Sequence, residues 1–220
     1  MNINSDAQRI LFYGDSLVFG KIPGGIRYDS ATRFTGIVQR ELGIEYEIIE
    51  EGLRGRTAAG ENTFFPHRNG LEQFGAILGS HLPIDLLILF LGTNDINSGA
   101  HKTSEELAAN IGEYKKLTEW WCNHLGLSIP EVLLMAPPRI EEKYSYELFK
   151  DIFRGSEEKS LMFSDLYKNI ALKYGWHFFD SSIVVKPSRI DGIHLDKENN
   201  EILGKTLAIY IQSFMPITKK

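Results

Sequence analysis

Five short apolar runs, separated by longer amphipathic stretches, punctuate this chain and leave few folds open to it. Residues 85–91, DLLILFL, form the strongest run, with six apolar side chains in seven and Gly92 immediately after. Residues 9–13 (RILFY) stop at Gly14, residues 132–136 (VLLMA) at Pro137-Pro138, and residues 176–179 (WHFF) at Asp180. Residues 46–50 (YEIIE) alternate and read as a weaker strand. Continuous apolar runs of this length are the mark of strands covered on both faces. The stretches between them have helical spacing. Thr103-x-x-Glu106 fits a capping box, and Leu107, Ile111, Tyr114, Leu117, Trp121 and Leu125 follow at intervals of three and four. Phe163, Leu166, Ile170 and Tyr174 repeat the pattern, with Gly175 placed to end the helix, and Asp196 precedes a last helix bearing Leu203, Leu207, Tyr210 and Phe214. Strands alternating with helices imply an α/β fold with a five-stranded parallel sheet between helix layers, in a single domain over residues 1–220.

Composition closes several functional classes. A net charge of −5 argues against a nucleic-acid partner, which would demand a basic face. No apolar run approaches the roughly 18 residues of a membrane span. Residues 1–8 are polar and unlike a secretory signal. Cys122 is the single cysteine, which excludes disulfides within the chain and cysteine-rich metal sites. The expectation is a cytoplasmic protein.

Ligands of an open α/β sheet bind beyond the carboxyl ends of its strands. Four polar clusters fall there, three of them directly after a predicted strand: Gly14-Asp15-Ser16-Leu17, Gly52-Leu53-Arg54-Gly55-Arg56-Thr57, Gly92-Thr93-Asn94-Asp95 and Asp191-Gly192-Ile193-His194. Their contents match the needs of acyl transfer. A serine hydroxyl becomes a useful nucleophile when a histidine takes its proton, and that histidine needs a carboxylate to fix its tautomer. Asp191 stands three residues before His194, within reach of a ring nitrogen across a turn. The oxyanion formed in attack requires preorganised donors, and losing one typically costs about 2.7–4 kcal/mol. The Ser16 N–H, a glycine N–H and the Asn94 amide are the candidates. Asp15 reads as a turn former and Asp95 as structural. No second histidine–carboxylate pair sits at ligand spacing, so no metal is expected.

These four blocks, in this order, resemble those of the GDSL, or SGNH, hydrolase superfamily. The resemblance spans residues 14–194 and implies a three-layer, flavodoxin-like α/β/α fold with no cofactor. It implies Ser16 as nucleophile, Asp191 and His194 as the rest of a triad, and Ser16, Gly55 and Asn94 as oxyanion donors, Gly55 being preferred to Gly52. The segments Glu50-Glu51-Gly52-Leu53-Arg54-Gly55-Arg56-Thr57 and Asp191-Gly192-Ile193-His194-Leu195-Asp196 look most like those of arylesterases and related acyltransferases. That subgroup implies short-chain esters as substrates, acyl transfer to alcohols in some members, and a homo-oligomer. Val18 and Phe19 stand where many relatives have Thr-Trp, a change expected to alter the acyl pocket.

Alternatives within the same chemistry are a carbohydrate acetylesterase, a thioesterase and a lysophospholipase. A non-enzymatic module holding a nucleotide or flavin is the alternative outside it, although the chain has no Gly-x-x-x-x-Gly-Lys-Ser/Thr loop. His67, His81, His101, His124 and His177 lack a constellation and read as surface or satisfied core residues. Cys122 reads as a packed hydrophobe. Residues 139–159, with Tyr144, Tyr146, Phe149 and Phe153, form either a wall over the acyl site or a surface helix with its apolar side on the core.

Overall fold

Strands form where the apolar runs lie. In the computed structural model, which describes residues 3–100, 102–145 and 147–217, they are β1 (Gln8–Gly14), β2 (Tyr46–Gly52), β3 (Leu86–Phe90), β4 (Glu131–Ala136) and β5 (His177–Asp180). Both β1 and β2 outlast their apolar residues and end together, with Gly14 paired to Gly52. Backbone hydrogen bonding needs no side chain, so hydrophobic pattern alone places such ends short. The strands are parallel in the order β2-β1-β3-β4-β5, as expected for a flavodoxin-like fold.

Side chains alternate across each strand, and this alternation builds the two helix layers. Leu11, Tyr13, Leu87, Leu89 and Leu134 pack on α3 (Gly70–His81), α4 (Ser104–Leu125) and α7 (Phe163–Tyr174). Ile10, Phe12, Ile88, Phe90 and Leu133 pack on α2 (Phe34–Leu42) and α8 (Lys197–Phe214). The short helices α1 (Ser16–Phe19), α5 (Glu147–Ile152) and α6 (Ser156–Ser160) complete the order. Among the described residues, no helix is long and apolar enough to cross a membrane.

Helix boundaries divide into those written locally and those supplied from elsewhere. The Thr103–Glu106 capping box forms at the start of α4, Gly175 ends α7 in a left-handed conformation, and Asp196 caps α8. By contrast, α2 has no side-chain cap from its own segment; the Phe34 N–H donates to Asn200 Oδ1 of α8, 3.0 Å away. That cap joins residues 166 apart and leaves no local signal. Helix α3 contains Gly70, Gly75 and Gly79, which weaken its propensity; Asn69 accepts from the Glu72 N–H at its start.

Asp196 Oδ1 accepts from the Asn199 N–H at 2.9 Å. Asp196→Ala is expected to lower stability by about 1 kcal/mol, read from urea unfolding, the usual cost of losing such a cap.

Candidate active site

The chain leaves β1 toward β2 on one side of the sheet and returns to build β3 on the other side of β1. Connections diverge at such a switch point and open a crevice beyond the strand ends. Ser16 follows β1 and Asn94 follows β3, so both stand at that crevice. Asp15 Oδ1 accepts from the Leu17 N–H at 2.9 Å, which turns the chain sharply and starts α1 at Ser16. Asp15 is thus the turn former expected from its position.

The Ser16 hydroxyl lies 2.9 Å from His194 Nε2, and His194 Nδ1 lies 2.7 Å from Asp191 Oδ2. A carboxylate only accepts, so Nδ1 holds the ring proton and Nε2 is free to receive one from serine. The other Asp191 oxygen accepts from the backbone N–H groups of Ile193 and His194 at 3.1 and 2.9 Å. Burial would raise the Asp191 pKa, but the His194 ring and these two N–H groups outweigh it and hold the carboxyl below its ordinary value. Asp191 is therefore ionised and fixed in place at neutral pH.

Gly55 and Asn94 join this group along a cavity of ≈ 190 Å³ that Ser16 and His194 also line. Gly55 has φ +77°, a left-handed conformation that strains other residues, and its carbonyl accepts from the buried Asn62 side chain at 2.8 Å. Among the described residues, no hydrogen bond occupies the Ser16 or Gly55 backbone N–H. Gly52 lies outside this lining; it ends β2 so close to α1 that a Cβ there would strike the Phe19 backbone. Asn94 Nδ2 donates to the Arg56 carbonyl at 3.0 Å. Its other contact, with Asp15 Oδ2 at 3.5 Å, is at the limit of a hydrogen bond, leaving one N–H available to a ligand. Together these donors suit an oxyanion.

Asp95 has the structural part expected of it. Its buried carboxylate accepts from the Ala58 N–H at 2.7 Å and pairs with Lys102 at 2.5 Å, anchoring the loop after Gly55. Of the other histidines, His81 pairs with Glu51, while His124 and His177 stack on Trp120 and Phe214. His67 is exposed, Cys122 is buried in α4, and His101 lies outside the described residues.

Among the described residues of the segment 139–159, two wall the site, and Ile140, Phe149, Ile152 and Phe153 also pack on the core, so both readings of the segment hold in part. Phe149 and Phe153 line the cavity, with the Phe149 ring centroid 5.8 Å from that of His194. Tyr144 lies away from it, within reach of Lys143 and Arg189, and Tyr146 is outside the described residues. Val18 and Phe19 do not line the cavity: Val18 is buried in the core and the Phe19 ring faces Arg27 at 4.6 Å. Their departure from the Thr-Trp of relatives thus falls outside the acyl pocket, contrary to expectation. Lys21, Phe65 and Arg68 also line the cavity, and no feature of sequence spacing singled them out.

Solved structures of other proteins share this architecture. An aryl esterase from M. smegmatis is 32% identical, with 95% of this chain and 100% of that one covered and a TM-score of 0.88. A carbohydrate acetylesterase from Sinorhizobium meliloti is 35% identical, covering 94% and 100%, also at TM-score 0.88. The chain belongs to the GDSL, or SGNH, hydrolase superfamily. This GDSL hydrolase shares its fold at greater distance with a lipolytic protein of the G-D-S-L family from Desulfitobacterium hafniense, 17% identical over 92% and 98% at TM-score 0.63. No family model matches the chain, and no curated protein does. Its reaction class is that of carboxylic ester hydrolases.

One carboxyl of this hydrolase titrates far from the usual range. Burial pushes Asp15 up from 3.8 to about 7, reinforced by the nearby Asp95 charge and opposed by the Leu17 N–H and Arg56. The native state then binds this proton more tightly than the unfolded chain, so the Asp15 contribution to stability declines as pH rises from 3.8 toward about 7. Asp15→Asn keeps the acceptor for Leu17 and removes the titration. Denaturant unfolding should find this variant gaining on the wild type across that window; a constant difference would contradict the assignment.

Proposed function

We propose that the protein is a serine esterase acting on small, short-chain acyl esters of aryl or alkyl alcohols. The observation behind this reading is the unbroken hydrogen-bonded chain Asp191–His194–Ser16 at the cavity wall. Ser16 Oγ attacks the ester carbonyl carbon as His194 Nε2 takes its proton. The N–H groups of Ser16 and Gly55 and the Asn94 amide receive the oxyanion. Collapse expels the alcohol, protonated by His194, and leaves an acyl-serine. Water enters, His194 takes one of its protons, and the acid is released while Ser16 regains its hydroxyl. An alcohol in place of water would give acyl transfer.

The size of the cavity supports short acyl groups, because Phe149 and Phe153 close one wall. A second reading, deacetylation of carbohydrates, is favoured by the likeness to the Sinorhizobium meliloti acetylesterase and uses the same groups. A single catalytic domain over residues 1–220 and a cytoplasmic address belong to the proposal, the latter supported by one free, buried cysteine, Cys122. Self-association into a homo-oligomer is supported by the exposed side chains of Ile183, Ile190 and Ile209.

Ser16→Ala should reduce hydrolysis of 4-nitrophenyl acetate by about 10³-fold or more while circular dichroism stays native, and should abolish labelling by a fluorophosphonate. Wild-type turnover in that variant would overturn the assignment. Phe153→Ala should raise the ratio of kcat/KM for 4-nitrophenyl hexanoate over acetate by about tenfold, since one missing methylene in an apolar pocket is worth about 1–3 kcal/mol.

A further inference from the structure

The cavity is electrostatically unlike the molecule around it. Acidic residues outnumber basic ones in the chain, 29 to 24, yet the lining includes Lys21, Arg54 and Arg68 and neither an aspartate nor a glutamate. Several basic side chains elsewhere pair with carboxylates, as in Arg9–Glu47, Arg33–Glu50 and Lys102–Asp95. Among the described residues, none of the three at the cavity forms an ion pair.

Lys21 is the most telling of them. It is 5% exposed, and its ammonium donates only to carbonyl oxygens, of Ile22 at 2.9 Å and of Gly25. An ammonium has three donors, so one is left, and no carboxylate is in hydrogen-bond contact with it among the described residues. Burial and the neighbouring Arg54 charge depress its pKa, while the Asp191 carboxylate acts in the opposite direction and only in part offsets them. Arg68 is held in place: Nε donates to the Arg54 carbonyl at 2.7 Å and Nη1 to the carbonyls of Pro66 and His67 at 2.9 and 3.0 Å, leaving Nη2 free. The Arg54 side chain is exposed and makes no hydrogen bond among the described residues. Arg54 precedes Gly55 in the chain, and both line the cavity.

We propose that the ester taken by this site bears a negative charge of its own, received by Lys21, Arg54 and Arg68. This rests on the esterase reading above and names its substrate class. An anion there relieves the repulsion between Lys21 and Arg54 and can take up the Lys21 and Arg68 donors left without a partner. Phe65, Phe149 and Phe153 face the remainder of the molecule.

The test compares charged and neutral esters of matched shape with the full chain. One pair, 4-acetoxybenzoate and its methyl ester, puts the carboxylate on the alcohol half. The other, mono-4-nitrophenyl glutarate and its methyl ester, puts it on the acyl half. Wild-type kcat/KM should favour the charged member of at least one pair by about tenfold, equal to about 1.4 kcal/mol. The preferred pair tells which half bears the charge. Arg54→Gln and the double variant Arg54→Gln/Arg68→Gln should lower that ratio, and Arg54→Lys should restore part of it. Raising NaCl from 0.05 to 0.5 M should lower it in the unaltered enzyme, a readout that does not depend on a variant folding. Equal or inverse preference in both pairs, or a ratio indifferent to salt and to the arginines in folded variants, overturns the proposal. Failure to hydrolyse any of the four esters overturns the esterase reading and this one with it.

Discussion

The guanidinium of Arg56 is the junction on which the site depends. At the carboxyl edge of a parallel sheet the last carbonyls run short of ladder partners, and the Gly14 carbonyl accepts from the Leu53 N–H at 3.1 Å. Arg56 Nη1 donates to the Gly14 carbonyl at 2.9 Å and to the Glu51 carbonyl, closing the ends of β1 and β2 together. Its plane lies 4.2 Å over the Tyr13 ring, and Gln73 accepts from it on the far side at 3.3 and 3.4 Å. Its own carbonyl receives the Asn94 amide. One buried cation thereby fixes the turn into Ser16, the loop holding Gly55 and the orientation of Asn94. Carbonyl oxygens and an aromatic face meet it directly, and the Glu51 and Asp15 carboxyls act on it through space.

Around this junction the fold concentrates polar groups that would be expensive anywhere else. Asp15 and Asp95 are both fully buried, and each secures a loop by accepting a backbone N–H. Behind them Tyr13 and Tyr114 pack edge to face on Phe74, and the two tyrosine hydroxyls donate to the Gly70 and Ala58 carbonyls. Rigid aromatic packing on one side and saturated hydrogen bonding on the other let the donors near Ser16 keep their direction without help from a ligand.

Much of this was legible in the sequence, for identifiable reasons. Runs such as residues 85–91 announce buried strands because nothing else accommodates six apolar side chains in seven. Ser16, Asn94, Asp191 and His194 were legible because glycine turns and short polar blocks mark strand ends. What escaped notice arises from contacts between distant segments. The cap of α2 comes from Asn200, part of the cavity wall from Phe65, and its positive lining from Lys21 and Arg68. Nothing within a few residues of Lys21 or Arg68 distinguishes them from solvated surface cations; only the folded chain sets them beside Ser16. Residue spacing alone also left Gly52 open; in the fold Gly52 packs against α1, and Gly55 lines the cavity.

Asp191 and His194 make their bond across three residues of one turn, whereas His194 meets Ser16 across 178. The Asp191–His194 pair is thus a cassette local to one turn. Ser16 stands near the opposite end of the chain, and only completion of the sheet and docking of the cassette beside β1 unite the two. Under the proposed function, turnover is consequently a proximity sensor for these two ends of the sequence: a loosened α8 or a half-folded chain would silence it while most of the secondary structure persists.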